Sequence, residues 1–146
     1  MTRLEFPKTP EFTGFNTPIG VEWSKTGLEV DGKIPSEING AFYRAAPDRA
    51  YAPFIENDAY ISGDGMVSCF RINGNAVDFS IRYVKTDRYL AEKKAGKALF
   101  GAYRNPYTDD KSVAGVNGGV VNTTPIWHAG RLFMTKEDSR AIEIHP

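Results

Sequence analysis

The feature that most constrains the fold is a succession of short β-prone segments, each bounded by a turn signal. Residues 66–72 and 76–85 flank Asn73-Gly74-Asn75, and both residue types tolerate the positive φ angles that tight hairpin turns need. Ala129-Gly130 marks a second hairpin within residues 124–134. Because such signals recur about every ten residues, the sequence predicts an all-β sandwich or propeller.

The other segments fit the same prediction. A strand over residues 41–44 ends at Pro47-Asp48, and a last strand covers residues 141–144. The best helix candidate spans residues 87–97, with Gly96 as its C-cap. The Pro-rich first twenty or so residues are typical of an extended arm over a surface. No linker divides the chain, so one domain is predicted.

Charge and composition exclude several classes of partner. The chain has 18 basic and 18 acidic residues and a net charge of zero, whereas nucleic acids and anionic membranes require a basic surface. No apolar run is long enough for an integral membrane segment. Cys69 is the only cysteine, so no internal disulfide can form. These features favour a cytoplasmic protein.

A charged triplet, Lys136-Glu137-Asp138, closes the apolar strand over residues 131–135. Neighbouring side chains on a strand point to opposite faces, so Lys136 and Glu137 are expected to serve different surroundings. A lysine beside a glutamate at the inner end of a strand is a plausible place for chemistry. The structural alternative is a solvated strand end, which from these residues alone is the more common case.

Four other features have a structural reading beside a functional one. Gly63-Asp64-Gly65-Met66 is read as a turn into a strand. The glycine-rich residues 115–124 lack the Lys-Ser/Thr ending and the following helix of a phosphate loop. His128 and His145 are the only histidines and neither is assigned as a metal ligand. Tyr103 is either a packed aromatic or a ligand contact.

Two sets of short motifs occur along the chain. The first comprises residues 39–44, 63–66, 82–89, 122–123 and 128–132, and the second comprises residues 94–97, 99–106 and 136–139. In order and spacing, the first set resembles the N-terminal part of the carotenoid cleavage oxygenase family. The second set resembles the stilbene-cleaving branch of that family, the lignostilbene dioxygenases. The resemblance covers nearly the whole chain from about residue 8.

The resemblance implies a fold, an activity and a cofactor. The family fold is a seven-bladed β-propeller with helices and loops capping one face, so residues 1–146 are expected to be its N-terminal portion, with a short helix and capping loops. The family binds iron(II) through four histidines and cleaves a conjugated C=C bond with O₂ to two carbonyl products. The first of those histidines is expected after residue 146. The expected partners are a small aromatic substrate and O₂, with a homodimer left open.

The same resemblance implies roles for five residues. Tyr103 and Lys136 match the residues that contact the 4-hydroxyl of a 4-hydroxystilbene, where an ammonium favours the phenolate. Glu137 matches a glutamate that accepts a hydrogen bond from an iron-ligating histidine, and Thr123 matches a residue whose methyl group leans over a vacant iron position. Ile61 stands where lignostilbene-cleaving relatives carry a phenylalanine against the substrate ring.

The expected function is therefore cleavage of the central double bond of a 4-hydroxystilbenoid to two aromatic aldehydes. Two alternatives stay open at this point. One is cleavage of a carotenoid or apocarotenoid, since Ile61 loses the ring-on-ring contact of the phenylalanine. The other is a non-catalytic β-domain that binds a small aromatic molecule or a protein partner.

Overall fold

A computed structural model describes residues 5–145, which form two antiparallel sheets and one short helix. The first sheet has four strands in the order β1-β4-β3-β2, and the second has three strands in the order β5-β6-β7. The elements are β1 (Trp23–Lys25), β2 (Gly40–Asp48), β3 (Asp64–Asn73), β4 (Ala76–Tyr83), α1 (Asp87–Ala95), β5 (Thr124–His128), β6 (Arg131–Lys136) and β7 (Ser139–Ile144).

Both predicted hairpins are present. In the first, Asn73 of β3 lies opposite Ala76 of β4, and Gly74 in the turn has a φ of 58°. In the second, Ala129 and Gly130 have φ angles of 49° and 77°. Two successive positive φ angles match the twist of the flanking strands, which is why this turn closes the β5–β6 hairpin tightly.

Strands β2, β3 and β7 are longer than the sequence predicts, and β3 covers Asp64–Asn73 rather than residues 66–72. β2 passes through Pro47 and ends at Asp48. A proline is tolerated here because β2 is an edge strand, so one side of its backbone has no partner strand in the sheet. β7 begins at Ser139 rather than Ala141, and Lys136 lies opposite Ser139. Glu137 and Asp138 are therefore the two-residue turn of a third hairpin.

The helix confirms the prediction and ends two residues earlier than expected. The Thr86 hydroxyl accepts a hydrogen bond from the backbone N–H of Tyr89, which caps the N-terminus. Gly96 has a φ of 69° and its N–H donates to the carbonyl of Glu92. A left-handed residue at this position stops the helix, so α1 ends at Ala95.

The expected N-terminal arm is described from residue 5 on, and its residues 1–4 lie outside the described range. The described part lies against the first sheet and is held by three carboxylates. Glu11 accepts a hydrogen bond from the backbone N–H of Tyr60, and Asp48 accepts from the N–H groups of Ile19 and Gly20. Glu22 accepts from the N–H of Tyr83. The expected extended arm is thus fixed, with two short 3₁₀ turns at Pro10–Phe12 and Gly14–Asn16.

The apolar core lies in three clusters. One fills the space between the two sheets and joins Val67 of β3 to Met134 of β6. A second packs Met66 and Ile81 against Tyr89 of α1, and a third lies beneath the helix around Phe100. No helix in the described range is long and apolar enough to cross a membrane.

Candidate active site

The loop before β5 approaches the start of β3 very closely. A Cβ atom on Gly65 would lie 2.6 Å from the carbonyl oxygen of Val120 and 2.7 Å from that of Val121, which explains why glycine stands here. Val121 has a φ of 42°, an unfavourable angle for a β-branched residue. Both valines are buried, so packing holds the strained backbone in place.

This contact carries Asn122 into the interior, where the side chain is 3% exposed. Its Nδ2 donates to the carbonyl oxygens of Ile61 at 2.9 Å and Gly63 at 2.7 Å. Its Oδ1 accepts from Lys136 Nζ at 2.9 Å. One amide therefore joins the turn before β3 to the end of β6.

Lys136 is the last residue of β6 and is 5% exposed. The pairing of β6 with β7 is irregular between Met134 and Lys136, and such bulges redirect a side chain. Lys136 Nζ also lies 3.4 Å from the carbonyl oxygen of Ile61. Burial lowers the pKa of Lys136, and the charges of Asp138 and Glu137 partly oppose this change.

Tyr103 lies in a tight loop whose backbone is hydrogen-bonded to its own side chains. The N–H of Gly101 donates to Asp109, and the N–H of Ala102 donates to Thr108. Lys136 Nζ lies 5.1 Å from the centre of the Tyr103 ring, within the range of a cation–π contact. Loss of hydration and the nearby Asp138 carboxylate raise the pKa of Tyr103 to about 12.

The structure brings together three of the residues selected from the sequence. Lys136 contacts the backbone of Ile61 and faces the ring of Tyr103. The Ile61 side chain is 51% exposed. Thr123 is also exposed, and its N–H donates to the carbonyl of Thr135. Glu137 is exposed beside buried Lys136, and it lies in a turn rather than on a strand, so the alternation expected for neighbours on a strand does not apply to it.

The histidines do not form a metal centre with their neighbours. His128 lies at the end of β5, and His145 follows β7. Within residues 5–145 no three His, Cys, Asp or Glu side chains are grouped so that they could hold a metal ion. The described residues thus do not fit an iron site by themselves.

Sequence reasoning noted Asn122 only as part of a motif and gave no role to Asp138. The available signal for Asn122 was a polar residue directly after the apolar pair Val120-Val121. A buried polar group needs hydrogen-bond partners, so such a residue points to a tertiary contact. Its partners at residues 61, 63 and 136 are far apart in sequence and could not be identified from it.

A buried cluster of charged side chains begins directly after the turn at residues 61–63. Asp64 of the turn motif is 3.7 Å from Arg88 of α1, and Arg88 is 3.9 Å from Glu92. Arg49 and Asp58 form an adjacent buried ion pair. Burial, together with the negative charge of Glu92, raises the pKa of Asp64 to about 7.

Known proteins resemble this chain over nearly its whole length. It is 47% identical over 141 residues to the lignostilbene-alpha,beta-dioxygenase isozyme III of Sphingomonas paucimobilis. That match covers 97% of this chain and 29% of that protein. It is 46% identical over 137 residues to the isoeugenol monooxygenase of Pseudomonas nitroreducens, covering 94% of this chain and 28% of that protein. The chain therefore spans less than a third of the length of these relatives.

Solved structures agree with the fold. The crystal structure of Pseudomonas brassicacearum lignostilbene dioxygenase matches with a TM-score of 0.91 and 41% identity, over 97% of this chain and 29% of that chain. The seven antiparallel strands are thus part of an all-β propeller with one short helix. The model of the retinal pigment epithelial membrane protein family matches residues 16–146. The chain belongs to that family, the carotenoid cleavage oxygenases.

Proposed function

We propose that the natural protein is a non-haem iron(II) dioxygenase that cleaves the central double bond of a 4-hydroxystilbenoid with O₂ to two aromatic aldehydes. The observation that carries the proposal is the buried Lys136 ammonium, which faces the Tyr103 ring and whose hydrogen-bond acceptors among residues 5–145 are all neutral. The similarity to proteins named for lignostilbene cleavage supports the same substrate class.

In this proposal Lys136 and Tyr103 bind the 4-hydroxyl oxygen. A phenolate next to a buried ammonium forms a charge-assisted hydrogen bond, so Lys136 favours the ionised phenol. With a pKa of about 12, Tyr103 stays protonated at neutral pH, and its single O–H would turn from the Asp138 carboxylate to the same oxygen when the phenol binds. The phenolate then pushes electron density through the conjugated system to the double bond. The phenol enters on the side where Ile61 is exposed, and Ile61 gives the ring an apolar contact.

The iron belongs to the proposal as well. When bound, it would supply the site at which O₂ is activated, and its histidine ligands would come from outside residues 5–145, because the described residues contain no group of three side chains that could hold a metal ion. Exposed Glu137 is available to accept a hydrogen bond from one of those histidines, and the exposed Thr123 methyl group can face the metal. Residues 1–146 would then be the N-terminal portion of the propeller domain.

Several further expectations belong to the same proposal. A homodimer and a cytoplasmic location both stay predictions. A carotenoid or apocarotenoid substrate is less favoured, because it carries no phenol whose ionisation the buried Lys136 ammonium would favour. A non-catalytic binding domain is also less favoured, because a binding module has no need of a phenol-ionising pair.

The test compares two substrates on the iron-loaded natural protein. We expect trans-4-hydroxystilbene to be converted to two aromatic aldehydes, which chromatography resolves, and trans-4-methoxystilbene to be converted far more slowly. An iron chelator should stop the reaction. Equal turnover of the phenol and its methyl ether, or turnover that survives the chelator, would contradict the proposal.

A second candidate substrate class is favoured by the comparisons. The chain is 46% identical to a protein named isoeugenol monooxygenase, nearly as similar as the lignostilbene-cleaving relative. Isoeugenol is also a phenol with a conjugated double bond at the para position, so the same Lys136–Tyr103 pair could bind it. The ratio of kcat/KM for isoeugenol and a 4-hydroxystilbene on the natural protein decides between the two classes.

A further inference from the structure

We propose that Asn122 is the positioning residue of the phenol site: it holds the Lys136 ammonium and the turn at residues 61–63 as one rigid unit and leaves the ammonium charge available to the substrate oxygen. This inference rests on the proposed function, because it assumes that Lys136 meets a phenol. It assigns a role to a side chain that does not itself touch the substrate.

The first support is the complete use of the Asn122 amide. Both kinds of polar atom on the side chain have partners, with two carbonyl acceptors for Nδ2 and the Lys136 ammonium for Oδ1. These three contacts lie between 2.7 and 2.9 Å, Oδ1 also accepts a longer hydrogen bond of 3.4 Å from Thr123 Oγ1, and Asn122 is almost fully buried. A buried amide with this geometry fixes the position of every group that it contacts.

The second support is the charge of the partners. Lys136 takes part in none of the ion pairs between described residues, and its two hydrogen-bond acceptors, Asn122 Oδ1 and the Ile61 carbonyl, are neutral. A carboxylate at position 122 would form an ion pair with Lys136 and compete with a phenolate for it. A neutral amide holds the ammonium in position without cancelling its charge.

The third support is the backbone that presents Asn122. The preceding residue, Val121, has an unfavourable positive φ, and the glycine at position 65 lets the loop approach β3. Strain of this kind persists only where the surrounding packing enforces it, and it is frequent at functional sites. Here it places an amide between two distant parts of the chain that both belong to the proposed site.

The experiment measures a preference rather than an affinity. Titration of the iron-loaded natural protein without O₂, followed by stilbene fluorescence, gives Kd for trans-4-hydroxystilbene and for its methyl ether. The ratio of the two Kd values does not depend on the folded fraction, because unfolding lowers the apparent affinity for both ligands by the same factor. The variants are N122A, N122S and K136M. N75A is the matched control, since Asn75 lies exposed in the β3–β4 turn.

Wild type and N75A should prefer the phenol strongly. N122A and N122S should reduce that preference by about 10- to 100-fold, because a hydrogen bond to a charged group contributes on that scale. The serine variant keeps a hydroxyl for one of the two carbonyls but is too short to reach Lys136 Nζ, so it covers the case in which the alanine variant does not fold. In the K136M background, N122S should change the ratio no further.

The outcomes separate the two claims. If the wild type shows no preference for the phenol, the proposed function fails. If the wild type shows the preference and N122S retains it, the role of Asn122 is wrong and the proposed function stands. If N122S lowers the ratio equally with and without Lys136, Asn122 acts on the site by another route and the inference is likewise overturned.

Discussion

Replacing Lys136 with methionine separates function from stability more sharply than any other single change. Methionine has a similar length and no charge, so it fills a similar volume beside Tyr103. The ammonium that it removes is buried and has neutral partners. We therefore expect K136M to lose discrimination in favour of 4-hydroxystilbenes while the fold is kept.

The magnitude follows from the contacts. At about 3 Å and an effective dielectric constant of about 20, an ammonium and a phenolate attract each other by about 5 kcal/mol, which is a ceiling because both charges lose water. Hydrogen bonds to charged groups are typically worth about 1.5–3 kcal/mol. The corresponding fall in kcat/KM for the phenol is about 10- to 150-fold. The methyl ether should change little.

Unlike the activity, the stability of the K136M variant should stay near the wild-type value. The lowered pKa of Lys136 means that folding disfavours its charged form. Between the folded and unfolded pKa values the unfolded chain binds the extra proton, so wild-type stability rises with pH as it approaches 10.5. K136M lacks this rise. Its Tm at neutral pH should stay close to that of the wild type, because the relief from burying a charge offsets the loss of the hydrogen bond to the buried Asn122 Oδ1.

Steady-state kinetics with both stilbenes and thermal melts from neutral to alkaline pH measure these effects on the natural protein. The reasoning is refuted if K136M retains the wild-type kcat/KM ratio for phenol over methyl ether. It is equally refuted if the loss of activity is the same for both substrates and a lower Tm accounts for it.

Three further predictions test other parts of the molecule. Folding raises the Asp64 pKa from 3.8 to about 7, so the free energy of unfolding should fall as the pH rises between those values, by at most about 4 kcal/mol. The D64N variant should not show this fall in denaturant melts. G65A should lower the unfolding free energy by about 1–3 kcal/mol, since its Cβ atom would press on the carbonyls of Val120 and Val121. E137Q should weaken iron binding by about 10- to 100-fold, whereas K136M should leave it unchanged, and equal iron loss in both variants would contradict the assigned roles.

The sequence predicts well those parts of the fold that depend on neighbouring residues. The β3–β4 turn needs only Asn73-Gly74-Asn75, and the end of α1 needs only a glycine that can adopt a left-handed conformation. The sequence predicts a β2 strand that is too short. Pro47 would interrupt a strand with partners on both sides, but β2 lies at the edge of its sheet and has a partner on one side only. Whether a strand lies at the edge of a sheet depends on the tertiary structure, so neighbouring residues do not predict it.

The candidate site shows the same division. Lys136, Tyr103 and Ile61 were selected through the family resemblance, and the structure shows that they lie together. The link between them, Asn122, depends on a close approach of two backbone segments that are about sixty residues apart in sequence. No local sequence pattern predicts that approach, although Gly65 and the polar Asn122 after two valines are consistent with it.

Labelling with ¹⁸O₂ tests the central claim most directly. In a single turnover of the iron-loaded natural protein with trans-4-hydroxystilbene, a dioxygenase places one oxygen atom from O₂ in each aldehyde. We predict that mass spectrometry, after rapid quenching to limit exchange with water, finds label in both products. Label in only one aldehyde would contradict dioxygenase chemistry, and recovery of uncleaved stilbene would contradict the assignment of a stilbene-cleaving site around Lys136.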